Sequence, residues 1–236
     1  GISQMDHFAM TKLLVPKVDA YMGTGNAHSV AAGRLSYLFG CSGPSVSIDT
    51  AFSSSLVTMH AAESCLSLSS YRFALSGGVN VILAPDVTMM FHQAGMLAED
   101  GRCKTLDETA DGYVRGDACG LMLLSKEDLE DKSFSTSSEP QIVSVAVNQD
   151  GRSSSQTAPS GVAQQQVLSE AMTKANLLPA EILFTEMHGT GTPLGDPIEV
   201  NALMTVYRKS RNLIADPLNL TSVKSRIGHT EAAAGI

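Results

Sequence analysis

Tryptophan is absent from the 236 residues, and positive charge is scarce: 16 Lys+Arg stand against 24 Asp+Glu, a net charge of −8. A surface of that sign repels phosphate backbones, so nucleic-acid binding is not expected. No apolar run approaches bilayer-spanning length, and no signal-like or Arg-rich segment opens the chain. The four cysteines, Cys41, Cys65, Cys103 and Cys119, form no C-x-x-C pair and no zinc-ligand spacing with histidine. They read as reduced, buried thiols, with no metal site, in a cytoplasmic or other reducing intracellular compartment. A Walker loop, H-E-x-x-H and G-x-S-x-G are all missing, which removes the P-loop, zincin and esterase classes. What is present is a 43% hydrophobic, 17% charged composition with 20 Gly and nine Pro, as in one large globular domain with many tight loops. The chain opens at Gly1 without methionine and stops in Ala232-Ala233-Ala234-Gly235-Ile236, the start of an apolar helix. The expectation is an internal piece of a longer polypeptide.

Strand-like and helix-like segments alternate along the chain. Short apolar or β-branched runs predict strands at 45–48, 120–124, 142–147, 182–187 and 218–223, with 73–83 as a strand broken at Gly77-Gly78. Apolar spacing predicts a helix over 53–67 and another from Gly161 to about Leu177, capped by Ser160. Asp196, Pro197 and Glu199 carry the signature of a helix start with Asp196 as the cap. A Ser/Thr-rich loop is expected at 133–140. This alternation argues for an α/β layered architecture.

Three segments share a design of buried strand, polar turn and helix: 45–55, 184–199 and 221–234. Ligands of α/β sheets bind where such strands end. The turns offer His188 in the second segment and Lys224 with His229 in the third. A single loop histidine is more often structural than catalytic, but two at strand ends in Gly/Thr-dense loops favour a site. The spacing Gly189, Gly191, Gly195 is one residue too long for a dinucleotide fingerprint.

These segments also resemble a known family. Asp49-Thr50-Ala51-Phe52-Ser53-Ser54-Ser55-Leu56 is similar to the nucleophile motif of β-ketoacyl synthases, D-T-A-C-S-S-S-L, with one change. The run from Glu186 through His188-Gly189-Thr190-Gly191-Thr192-Pro193-Leu194-Gly195-Asp196-Pro197 to Glu199 resembles the first histidine motif. Val223-Lys224 through Gly228-His229-Thr230-Glu231 to Gly235 resembles the lysine and second-histidine motif. Further matches run from Asn26 to Arg34, Asp111 to Gly116 and Asn148 to Ser153, so the likeness spans essentially the whole chain. It favours a ketosynthase domain of a type I polyketide synthase.

The resemblance implies a thiolase-like fold, α-β-α-β-α in two similar halves, here lacking the start of the first and the end of the second. It implies no bound cofactor. The substrates it implies are phosphopantetheine-linked acyl and malonyl groups on an acyl carrier protein, with an acyltransferase domain of the same synthase as neighbour and a homodimer as the assembly. In the family, a cysteine at position 52 takes the acyl group. His188 and His229 then hold the malonyl thioester carbonyl through decarboxylation, with Lys224 supplying charge and fixing the loop of His229. Thr190 and Thr192 would bind the pantetheine arm, and Glu231 would orient the loop or cap the last helix. Phe52 has no nucleophilic atom, so no acyl-enzyme can form on it. Ser53, one residue along a helix, points about 100° away. Three readings follow: a condensing enzyme whose codon 52 differs by one base from a cysteine codon, a malonyl-carrier decarboxylase of the loading type, where the family carries Gln, or a silent structural or dimer-partner domain.

Overall fold

The computed structural model describes residues 1–14, 17–126, 140–209 and 216–236, which fall into two compact units. The first contains described residues of 1–90, 116–139 and 230–236. Its helices are α1 (Asp6–Leu14), α2 (Tyr21–Asn26), α3 (His28–Phe39) and α4 (Ser54–Leu68), and its sheet pairs β1 (Phe73–Asn80) with β2 (Ala118–Ser125). The two strands run antiparallel from Phe73 opposite Ser125 to Asn80 opposite Ala118. The expected break at Gly77-Gly78 does not occur. The glycines serve a different purpose: a Cβ on Gly78 would lie 2.6 Å from Ala232 O and 2.8 Å from Ala233 Cα, so only glycine lets the turn at Glu231–Ala233 close on β1. The buried face of β1 is Ser76, Gly78 and Asn80. Two of its polar groups find partners nearby: Ser76 Oγ donates to Thr58 Oγ1 (3.0 Å) on α4, and Asn80 Nδ2 donates to Gly116 O (2.8 Å). Asp6, buried at the head of α1, accepts the N–H groups of Leu83 and Ala84, both at 3.0 Å.

Helix α5 (Asp86–Gln93) follows β1 in the chain. The second unit holds described residues of 91–115 and 140–229. It contains α6 (Gly161–Ala175), β3 (Phe184–Glu186), α7 (Gly195–Tyr207), β4 (Asn219–Thr221) and the short α8 (Lys224–Ile227). Strands β3 and β4 pair in parallel, Phe184 opposite Asn219 and Glu186 opposite Thr221. Met187, Leu203 and Tyr207 form the core, closed by Leu168 and Met172 of α6 and by Leu218 and Leu220 around β4. Ser160 caps α6 as expected, its Oγ accepting from Ala163 N–H at 3.2 Å. The α6 end is closed by Asn176 in the left-handed conformation.

Several expected elements differ. Residues 45–48 form no ladder among the described residues; Ile48 O receives the N–H of Ile2 at 3.1 Å. Residues 142–147 likewise form no ladder, and Ser144 Oγ donates instead to Ala171 O of α6 at 2.8 Å. An apolar or β-branched run does not make a strand by itself, which also needs a partner in register. Only Cys103 is buried; Cys41 and Cys119 are exposed and Cys65 is half-buried, so the expectation of four buried thiols is corrected. The expected loop at 133–140 lies outside the described residues except for Pro140. Among the described residues no helix is long and apolar enough to cross a membrane.

Candidate active site

In the first unit, residues 49–54 make a sharp turn into a helix. Ala51 takes φ of 55°, a left-handed conformation that costs an L-residue about 1–2 kcal/mol. Asp49 Oδ1 receives Ala51 N–H at 3.0 Å, and Ser54 Oγ receives Thr50 N–H at 3.0 Å while donating to Ala51 O at 2.6 Å. Ser54 and Ser55 are fully buried. Ser55 Oγ receives Gly235 N–H at 2.9 Å, which ties the turn to the segment 230–236. The 3₁₀ turn Ala51–Ser53 runs directly into α4, so side chain 52 stands just before a helix N-terminus, where the backbone favours an anion. Phe52 is half-buried there and cannot use that field. Glu231 opens the 3₁₀ turn Glu231–Ala233 with φ of 47°, fully buried, its carboxylate accepting from Gln4 Nε2 at 2.6 Å. That bond and the 3₁₀ turn fix its place in this segment.

The second unit brings the other residues together. His188 leaves β3, His229 follows α8, and their rings meet edge to face with centroids 5.2 Å apart and planes at 82°. The His229 backbone is fixed by its N–H donating to Val114 O at 2.7 Å and by a bridge with Arg115. Its ring packs on that of Tyr113, centroids 5.1 Å apart, and Tyr113 in turn faces Phe91. The segment Tyr113 to Arg115 thus cradles His229. A role for it was not legible in the sequence; the turn in which Gly112 takes φ of 149° against Leu97 and Ala98 is the signal that could have suggested it.

Electrostatics hold both imidazoles neutral. Burial, then the neighbouring His188 and the Lys224 charge, push His229 down to about 2. His188 keeps an exposed face, and its displacement is smaller: burial of the rest of the ring and the Lys224 charge lower it to about 4, against an upward pull from Asp196. A neutral imidazole still carries one N–H, so each ring is a hydrogen-bond donor near pH 7. Lys224 is buried, and burial lowers its pKa, opposed chiefly by the charges of Glu186 and Glu199.

Helix α7 begins at Gly195, where the sequence expected a helix, but the carboxylates of its first turns hold the His188 loop rather than capping the helix. Glu199 accepts the N–H groups of His188 (2.7 Å) and Gly189 (2.9 Å). Asp196, expected as an N-cap, is buried and accepts from Gly191 N–H (3.1 Å) and Leu106 N–H (2.9 Å). The N-cap position is Leu194, which has no side-chain cap, and Thr192 Oγ1 receives the N–H of Gly195, the first helical residue, at 3.2 Å. The reason is geometric: the turn 189–195 folds back so that four loop N–H groups converge on two carboxylates. Thr190 Oγ1 lies 3.4 Å from Thr192 Oγ1. Cys103 is no substitute nucleophile, since burial raises its thiol pKa and its Sγ is engaged by Val114 N–H at 3.4 Å. Among the described residues no group of His, Cys, Asp and Glu could hold a metal ion.

Comparison with known proteins matches two family models in order: "Beta-ketoacyl synthase, N-terminal domain" over residues 1–129 and "Beta-ketoacyl synthase, C-terminal domain" over residues 140–236. Polyketide synthase GfsE of Streptomyces halstedii is 46% identical over 239 residues, covering 100% of this chain and 6% of that protein. A phenolphthiocerol/phthiocerol polyketide synthase of Mycobacterium tuberculosis is 47% identical over 223 residues, covering 93% of this chain and 10% of that protein. Among solved structures, the ketosynthase from module 6 of the bacillaene synthase of Bacillus subtilis 168 superposes with a TM-score of 0.80 at 39% identity, over 90% of this chain and 38% of that one. The oxazolomycin ketosynthase domain OzmH KS7 of Streptomyces albus JA3453 gives a TM-score of 0.86 at 32% identity, over 99% of this chain and 40% of that one. The fold is therefore the thiolase-like fold of ketosynthases, and the chain spans a small part of the curated relatives. The chain belongs to the β-ketoacyl synthase family, among the ketosynthases of polyketide synthases.

Proposed function

We propose that this chain handles malonyl-type thioesters on a carrier protein and decarboxylates them without condensing them. The observation that carries this reading is the pair of neutral imidazoles, 5.2 Å apart and edge to face, beside a buried lysine. The N–H groups of His188 and His229 donate to the thioester carbonyl oxygen. The bond between the malonyl C2 and its carboxylate carbon breaks, CO₂ leaves, and the electron pair stays as an enolate whose oxygen both rings stabilise. In the family that carbanion attacks an acyl-cysteine. With Phe52 no acyl group is present, so the enolate takes a proton from water and becomes an acetyl-type thioester. Thr190 and Thr192 hold the pantetheine arm. The acyl carrier protein, an acyltransferase domain of the same synthase and a second copy of the domain are the proposed partners.

The test uses the polypeptide that carries this sequence, incubated with malonyl-loaded carrier protein. CO₂ release is expected, and His188→Ala should lower it by about a hundredfold or more, the cost of one oxyanion donor. Phe52→Cys should gain a covalent acyl group, read by mass spectrometry. If the wild type releases no CO₂, the decarboxylase reading falls. If Phe52→Cys releases CO₂ yet never acquires an acyl group, position 52 is not the nucleophile position.

A further inference from the structure

Glu186 closes β3, and both of its carboxylate oxygens are spent on the neighbouring strand. Oε1 accepts the N–H of Val223 at 2.7 Å, and Oε2 accepts the hydroxyl of Thr221 at 2.6 Å. Met187 N–H donates to Thr221 O at 2.8 Å, so the ladder and the carboxylate together clamp the end of β4 to the end of β3. Val223 is the residue immediately before Lys224, and His188 is two residues after Glu186. The clamp therefore sits at the point where both loops of the site leave the sheet.

We propose that Glu186 is a positioning residue: its carboxylate locks the turn that carries Lys224 onto the strand that carries His188, and adds a negative charge to the surroundings of the Lys224 ammonium. This rests on the reading of His188, His229 and Lys224 as the thioester site. The groups facing Lys224 are Glu186 from β3, Glu199 from α7, Cys103 from the loop before Tyr113, and the two imidazoles. Of these, the Glu186 charge is the largest influence favouring the ammonium against its burial. Glu199 is committed to two backbone N–H groups of the His188 loop, which leaves Glu186 as the carboxylate that touches the Lys224 turn itself.

Two variants separate the clamp from the charge. Glu186→Gln keeps an oxygen for Val223 N–H but removes the charge, while Glu186→Ala removes both. In the full polypeptide, Glu186→Ala should speed amide exchange at Val223 about tenfold, the loss of one hydrogen bond. Glu186→Gln should move the alkaline limb of the CO₂-release profile to lower pH, because Lys224 then loses its proton more easily. Its kcat should fall while KM stays close to wild type. If the wild type releases CO₂ and the Glu186→Gln profile superimposes on it, the proposal is overturned. If the wild type releases none, the decarboxylase reading fails, and Val223 exchange alone decides Glu186: unchanged exchange in Glu186→Ala refutes the clamp, faster exchange upholds it.

Discussion

Replacing Glu199 tests whether the His188 loop is held by a carboxylate that accepts twice. One oxygen takes His188 N–H at 2.7 Å and the other takes Gly189 N–H at 2.9 Å. Each is a charge-assisted bond of about 1.5–3 kcal/mol. Both donors lie on a loop with an exposed edge at His188, so water recovers part of the loss in Glu199→Ala, leaving about 2 kcal/mol. Such a loss lowers the protection of the two amides against hydrogen exchange roughly thirtyfold if they open locally. Glu199→Gln is the sharper perturbation. Its amide offers one oxygen and one NH₂, so the NH₂ must face a backbone N–H, donor against donor. Gln should therefore approach Ala in its effect, though it is nearly isosteric with Glu. Hydrogen exchange with mass spectrometry on a peptide spanning 187–195 reads this directly in the full polypeptide. Wild-type protection in Glu199→Gln would refute the double-acceptor reading, and with it the account of how His188 is aimed.

The remaining expectations concern pH and packing. His229 has its pKa lowered to about 2, below the value of about 6.5 in an unfolded chain, so between those limits the unfolded state binds a proton that the folded state does not. Stability is then unaffected above pH 6.5 and falls below it, by about 2 kcal/mol at pH 5 from His229 alone, and His229→Leu should reduce that dependence in urea melts at pH 5 and 8, leaving the part that His188 contributes. Leu203→Ala removes a buried core side chain and should cost about 2–4 kcal/mol, read as faster exchange along α7; less than 1 kcal/mol would show that the site collapses around the gap. Gly78→Ala forces a Cβ into the backbone of 232–233 and should lower the urea midpoint, while an unchanged midpoint would mean that β1 and the turn can separate at no cost.

Much of the site was legible because its chemistry sits in short, ordered motifs. His188, His229 and Lys224 stand at the ends of strands or turns, and two of the segments that carry them, β3 and β4, fold as expected. The helices over 54–68 and 161–175 followed from apolar spacing and the Ser160 cap. What failed was local reading of residues with long-range partners. Asp196 and Glu199 marked a helix start, and α7 does begin at Gly195, but Asp196 is not its cap: the backbone groups that claim the two carboxylates come from residues 106, 188, 189 and 191. Gly77-Gly78 looked like a break, yet the strand continues because glycine is needed for close approach by a turn more than 150 residues away.

The sequence by itself determined the family, and it placed two imidazoles, an ammonium and the phenylalanine at position 52 in that family's motifs, since these depend only on which atoms are present. Tertiary structure alone decided the protonation of the histidines, the cradle of Tyr113 and Val114 behind His229, and the clamp of Glu186 on the Lys224 turn. Burial and hydrogen-bond direction are properties of what surrounds a residue, and here the surroundings come from segments far apart in the chain.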